Sequence, residues 1–119
     1  SFFENPQFTS AHLPKEAQRT IQLHPGTTIR FLVNNTGNKN QIGAYVAEIT
    51  ELADEITIHP GAKLVYVLEG EFIFHIAQKE FHLSKGDSLF FNGNVPHWMS
   101  NKSKEKLKLF VATTPPEIF

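Results

Sequence analysis

The sequence has no cysteine among its 119 residues and only one tryptophan and one methionine. Without cysteine the chain forms no disulfide, offers no thiolate ligand to a metal and has no cysteine nucleophile. This composition fits a reducing compartment, and we expect the protein in the cytoplasm. No apolar run approaches the roughly 20 residues of a membrane-spanning helix, and no basic leader precedes an apolar segment, so we expect no membrane partner.

An excess of charge of either sign is also missing. The 11 Lys and Arg residues stand against 12 Asp and Glu residues, which gives a net charge of −1. Because nucleic acid attracts proteins through clustered positive charge, we expect no direct nucleic-acid binding by this domain. Apolar side chains are abundant, since 40% of the residues are hydrophobic and 11 are phenylalanine. At this length they are enough to fill one core.

Short apolar runs separated by turn residues predict an all-β domain. Tight turns at 68–71 and 84–87 each stand between runs rich in Phe, Ile, Val and Tyr, which favour strands, while Gly supplies the positive φ that such turns need. One helical turn is expected at 15–19 and an exposed loop at 34–40. We expect a single domain: an N-terminal arm over 1–20, a closed or sandwiched β-structure over 21–114 and a C-terminal tail over 115–119.

Residues an even number apart in a strand share a face. The residues that share a face in this way are Thr57, His59, Lys63, Val65 and Val67 on one strand and His97, Met99 and Asn101 on a later one. If both faces turn inward, His59 and His97 approach each other inside the fold.

The same segment resembles the two sequence motifs of the cupin superfamily. The positions that correspond to the first motif are Thr57, His59, Lys63 and Gly70, and those of the second are Gly86, Asn92, Asn94, His97 and Asn101. Thr57 stands at a histidine position and Lys63 at a glutamate position, while Asn92 and Asn94 replace a proline and a glycine. The resemblance covers residues 45–114 and implies a cupin-type jelly-roll β-barrel.

The resemblance also implies a divalent metal such as iron, manganese, nickel or zinc, held here by His59 and His97. Lys63 argues against it, because an ammonium in place of a carboxylate repels a divalent ion. A metal would be accommodated if Lys63 pointed to solvent or if another ligand turned inward. The side chains that would supply such a ligand are His75, Glu71 and Asn101.

Lys63 has three interpretations of its own. Its stem packs at the barrel mouth with the ammonium in water, or it binds a carboxylate or phosphate of a small ligand, or it acts as a base or nucleophile. Among the nearby aromatic residues Tyr66, Phe91 and Trp98, we expect Trp98 to line a pocket. The ligand-binding residues that we predict are His59, Lys63, His97, Trp98 and Asn101.

The segment, with its ending at 109–116, is similar to the C-terminal cupin domains of bacterial regulators that carry an N-terminal helix-turn-helix. That resemblance implies a ligand-sensing domain that pairs two subunits, with the helix-turn-helix upstream of Ser1. The chain is then a fragment; otherwise it is a whole chain whose initiator Met was removed. The alternative is a stand-alone metal-dependent dioxygenase, isomerase or epimerase. Three arm phenylalanines, Phe2, Phe3 and Phe8, favour a homodimer.

Overall fold

The computed structural model describes residues 12–34, 42–52, 55–101 and 105–115. The predictions that concern the three arm phenylalanines, most of the loop at 34–40 and the tail beyond residue 115 lie outside the described residues. Among the described residues, the sequence forms one turn of 3₁₀-helix at Lys15–Ala17, in agreement with the predicted helical turn. No helix in this part of the chain is long and apolar enough to cross a membrane.

Antiparallel strands make up the rest of the ordered backbone. In chain order they are β1 (Thr20–His24), β2 (Thr27–Phe31), β3 (Gly43–Ile49), β4 (Ala62–Glu69), β5 (Glu71–Ile76), β6 (Lys79–Ser84), β7 (Ser88–Asn92), β8 (His97–Ser100) and β9 (Leu107–Thr114). They form a six-stranded sheet in the order β1-β2-β3-β9-β4-β7 and a three-stranded sheet in the order β6-β5-β8. The all-β prediction is confirmed.

The glycine turns lie where the sequence predicts them. Gly70, with φ of 89°, joins β4 to β5, and Gly86, with φ of 91°, lies in the turn between β6 and β7. In that second turn the backbone N–H of Ser84 donates to the Asp87 carboxylate at 2.9 Å, and the Asp87 N–H donates to the Ser84 carbonyl at 2.9 Å. These bonds fix the connection that brings β7 back beside β4.

The inner face of the larger sheet carries the core. Val65 and Val67 of β4 lie beside Val111 and Leu109 of β9, and all four are buried. Each such aliphatic side chain contributes about 1.5–3 kcal/mol by leaving water. Lys63 continues the same row toward the end of the barrel, with Thr113 as its partner on β9. The alternation that buries the valines therefore also turns Lys63 inward.

Candidate ligand pocket

The two sheets line a cavity of about 660 Å³ that opens to solvent. Inner-face residues of the larger sheet line most of it, and β5, β8 and the segment before β4 supply the remainder. The cavity is largely apolar. The side chains of the lining that carry polar or titratable groups are His24, Thr27, Tyr45, Glu55, Thr57, His59, Lys63, His97 and Trp98. Its volume lies within the range typical of small-molecule sites.

The predicted approach of His59 and His97 is confirmed. A β-bridge between Thr57 and His97 joins the segment before β4 to β8. The Thr57 N–H donates to the His97 carbonyl at 2.8 Å, and the His97 N–H donates to the Thr57 carbonyl at 3.0 Å. The two imidazole centroids lie 4.9 Å apart with the rings nearly perpendicular at 85°. Both histidines are buried, at 5% and 7% exposure. The strand pairing therefore brings two imidazoles to one point of the cavity wall.

The backbone carbonyl of Val95 orients the His97 ring. Its Nδ1 lies 2.8 Å from the carbonyl oxygen of Val95, which only accepts hydrogen bonds, so Nδ1 is the donor in this contact. Burial lowers the pKa of His97, and the positive charge of Lys63 lowers this pKa further, against the opposing effect of the Val95 hydrogen bond. The neutral ring with Nε2 as an acceptor is the form that this environment favours.

Two phenylalanines hold the imidazoles in place. The ring of Phe74 is parallel to His97 within 11° at a centroid distance of 5.8 Å. Phe91 meets His97 edge-on at 4.9 Å and His59 at 6.4 Å. Both phenylalanines are buried. Both also line the cavity, so the histidine pair lies among apolar rings.

Lys63 lies deep in the barrel wall. It is 8% exposed, between Phe91 of β7 and Thr113 of β9 in the strand register. Its Nζ lies 3.5 Å from the hydroxyl oxygen of Tyr45. The interpretation that places the Lys63 ammonium in water at the barrel mouth is therefore wrong, because the residue is buried and its Nζ lies beside the Tyr45 hydroxyl.

Gly93 makes room for His59. Its carbonyl accepts a hydrogen bond from the His59 N–H at 2.9 Å, and its own N–H donates to the Gly61 carbonyl at 2.8 Å. A Cβ at Gly93 would overlap the Cε1 and Nδ1 atoms of the His59 ring. Only glycine therefore lets the turn after β7 lie against this imidazole.

Comparison with known proteins places this barrel in a family. The family model described as "Cupin domain" matches residues 49–113, which include both histidines and Lys63. The chain belongs to the cupin family. The cupin-type jelly-roll fold that the sequence predicts is thereby confirmed together with the observed sheets.

Known relatives differ in what they do. The HTH-type transcriptional regulator PuuR of Escherichia coli (strain K12) is 34% identical over 87 residues, which are 71% of this chain and 46% of PuuR. This cupin chain thus spans less than half the length of that curated relative. An RmlC-like cupin from Shewanella frigidimarina NCIMB 400 has a TM-score of 0.71 at 22% identity, over 87% of this chain and 90% of that one.

A third match is the crystal structure of Fe(II) HppE. Its TM-score is 0.73 at 20% identity, and the match covers 89% of this chain and 61% of that chain. At this identity the similarity concerns the cupin fold alone. A cupin fold of this shape is therefore compatible with bound iron in HppE and with a protein of the regulator class in PuuR.

The side chains of this cupin do not fit a metal centre. Two imidazoles meet an ammonium, and a protonated amine has no lone pair to give a metal. Nowhere among the described residues do three His, Cys, Asp or Glu side chains cluster as a metal site would require. His75 and Glu71 do not complete one, because His75 lies on the outer face of the smaller sheet and Glu71 is exposed.

Two predicted ligand-binding residues lie apart from this group. Trp98 borders the cavity, but its indole stacks on His75 with centroids 3.6 Å apart and planes within 3°. The amide nitrogen of Asn101 donates to the carbonyl of Glu105 at 3.0 Å, and Asn101 is absent from the described cavity lining. The structure thus brings His59, Lys63 and His97 together, while ligand contact by Trp98 and Asn101 stays a prediction.

Three residues that contact or accommodate the predicted site residues are not themselves among the predicted ones. Tyr45 contacts Lys63, Phe74 packs on His97, and Gly93 accommodates His59. Tyr45 and Phe74 lie on strands outside the two segments that carry the histidines. The alternation of side chains within those two segments therefore does not predict them. Gly93 lies inside the predicted turn, where a glycine is expected for backbone reasons alone.

Proposed function

We propose that this cupin barrel binds a small molecule and serves as the ligand-sensing effector module of a cytoplasmic transcription regulator. The observation that carries the proposal is the character of the cavity: it is of ligand size and largely apolar, and its polar groups suit binding better than metal chemistry. The similarity to PuuR, an HTH-type transcriptional regulator, supports the regulatory context.

The net charge of −1 leaves DNA contact to another part of a regulator. Binding of a small molecule inside the barrel would then alter how two subunits are held together. Such coupling requires that the ligand binds one arrangement of the two subunits more tightly than the other.

A homodimer is part of this proposal. On the outer face of the larger sheet, Leu64 and Phe90 are register partners with exposures of 38% and 71%, and Tyr66 nearby is 41% exposed. Large apolar side chains grouped on one face mark an interaction surface. A second copy is the partner that we propose, because a two-fold axis sets the same patch against itself.

The test is elemental analysis of tag-free protein after a mild chelator wash, with iron, manganese, nickel and zinc quantified per chain. We expect far less than one metal per barrel. The complete gene should in addition encode a helix-turn-helix before Ser1, and the full-length protein should shift operator DNA in a gel assay. One metal per chain together with no DNA-binding segment would overturn the proposal.

One observation favours a second function. The imidazoles of His59 and His97 face each other at 4.9 Å at the positions where cupin motifs carry histidines. In a stand-alone enzyme they would hold a metal or act as acid and base. That alternative predicts stoichiometric metal or a turnover that His97→Ala abolishes.

A further inference from the structure

We propose that the ligand of this pocket is a small neutral hydroxyl compound with an apolar body, and that its O–H donates a hydrogen bond to Nε2 of His97. This inference rests on the proposed ligand-binding function and names the chemical class of the ligand.

The backbone carbonyl of Val95 determines which nitrogen of His97 is the acceptor. Because that oxygen can only accept, Nδ1 carries the proton of the neutral ring and Nε2 holds a lone pair. Nε2 forms no hydrogen bond with any of the described residues, and it is not sealed from solvent. The ring lines the cavity. The lone pair is therefore open to a donor that enters the barrel.

The His97 ring is also held in one orientation. Phe74 packs parallel to it within 11°, Phe91 meets it edge-on at 4.9 Å, and the Val95 contact fixes its other edge at 2.8 Å. A group that is already oriented loses little conformational freedom when a ligand binds. A single hydrogen bond to Nε2 can therefore contribute measurably to affinity.

The wall beyond the histidine is aliphatic and suits an apolar body, which gains by leaving water there. The side chains that form this wall include Ile29, Ala47, Ile49, Leu109 and Val111, and all of them are buried. A charged donor such as an ammonium would lose its hydration among these side chains, whereas a neutral hydroxyl loses much less. A carboxylate brings no proton for Nε2.

Apolar side chains continue to the mouth of the cavity. Leu23, Ile56 and Ile58 line it with exposures of 39%, 70% and 62%. An apolar ligand therefore meets hydrophobic surface from the mouth to the interior, and the first polar demand that the proposal places on it is the hydrogen bond to His97.

The test compares three probes with the same cyclohexane ring: cyclohexanol, cyclohexanone, which only accepts hydrogen bonds, and cyclohexylamine, a cationic donor. NMR chemical-shift titrations of the whole protein at about pH 8, where an ordinary histidine is neutral, give the three affinities. We expect cyclohexanol to bind about fivefold more tightly than cyclohexanone, the effect of one neutral hydrogen bond, and cyclohexylamine to bind most weakly. This comparison requires no variant and therefore no assumption about folding.

The ring nitrogens of His97 report the contact directly. In heteronuclear NMR of the histidine rings, Nε2 should have the shift of an unprotonated nitrogen. It should move toward the range of a protonated nitrogen when cyclohexanol saturates the protein, and it should move less with cyclohexanone. Apolar packing of a ligand against the ring would not produce this difference between the two probes.

His97→Leu then assigns the preference to one side chain. It should reduce cyclohexanol affinity about fivefold, to the level of cyclohexanone, and leave cyclohexanone within about twofold of the unmodified protein. His82→Leu, at a histidine of β6 whose side chain is 72% exposed, is the matched control and should change neither affinity.

Three outcomes would overturn the inference: cyclohexanone or cyclohexylamine binds as tightly as cyclohexanol, the Nε2 signal of His97 responds equally to the alcohol and the ketone, or none of the probes binds. Each of these leaves the sensor proposal standing, because a ligand of another class would still satisfy it. Stoichiometric metal in the unmodified protein would instead remove the proposed function itself.

Discussion

Replacing Gly93 by alanine tests the tight fit between the turn after β7 and the imidazole of His59. The added methyl group overlaps the His59 ring, and the ring is confined by His97 at 4.9 Å and by a 3.2 Å contact between its Nδ1 and the Pro60 carbonyl. Gly93 is not among the glycines with positive φ, so backbone strain adds little. Overpacking of this kind costs about 1–3 kcal/mol, and we expect the free energy of unfolding to fall by about 2 kcal/mol.

A double-mutant cycle identifies the cause. In a His59→Ala background the ring is gone and the methyl group has room, so Gly93→Ala should cost less than about 0.5 kcal/mol there. Urea denaturation followed by the fluorescence of Trp98, the single tryptophan, measures all four proteins.

Gly86→Ala is the matched control for this cycle. Its φ is 91° and a Cβ there meets nothing within 4 Å, so its cost should come from backbone strain and be equal in both backgrounds. If Gly93→Ala also costs the same in both backgrounds, the overlap with His59 is not what makes glycine necessary, and the positioning role of Gly93 is refuted.

Three further predictions concern other parts of the fold. The pKa of His97 is lowered in the folded state, so the folded protein binds fewer protons at His97 than the unfolded protein does. The free energy of unfolding should therefore fall as the pH drops below about 6.5. Urea titrations from pH 7.5 to 5 measure this fall, which should be smaller in His97→Gln. Lys63→Glu should give two imidazoles and a carboxylate and bind Co²⁺ near one per chain by calorimetry, and no gain over the unmodified protein would contradict the proximity of Lys63 to the histidines. Phe90→Lys should leave only monomer in sedimentation velocity, and an unmodified protein that is monomeric at high concentration would reject the dimer.

The fold could be predicted because its signals are local. Strand alternation is visible in the row of Lys63, Val65 and Val67, and the glycines at 70 and 86 take the positive φ that the two turns require. The sequence does not predict the turn between β5 and β6, where Ala77 adopts a φ of 54°. A non-glycine residue in the left-handed region gives no compositional signal.

The site was harder to predict because the burial of a side chain depends on which strands pair beside it. The alternation of side chains along β4 correctly predicts that Lys63 points inward. Its burial depends in addition on the pairing of β4 with β7 on one side and with β9 on the other. Parity also bears on Trp98: it follows His97 in β8, so its side chain points to the opposite face, where it stacks on His75. Trp98 nevertheless borders the cavity, as the sequence analysis predicts.

The sign of the charge at position 63 bears directly on whether this barrel can hold a metal. His59 and His97 offer lone pairs that suit either a metal or the hydrogen-bonding edge of an organic ligand. At position 63 a carboxylate would attract a divalent cation, whereas an ammonium repels one by about 4 kcal/mol per unit charge at 4 Å and an effective dielectric of 20. The same ammonium attracts an anion by a similar amount. A glutamate at position 63 would therefore favour a divalent cation beside the two imidazoles, whereas the lysine that this chain carries there disfavours one.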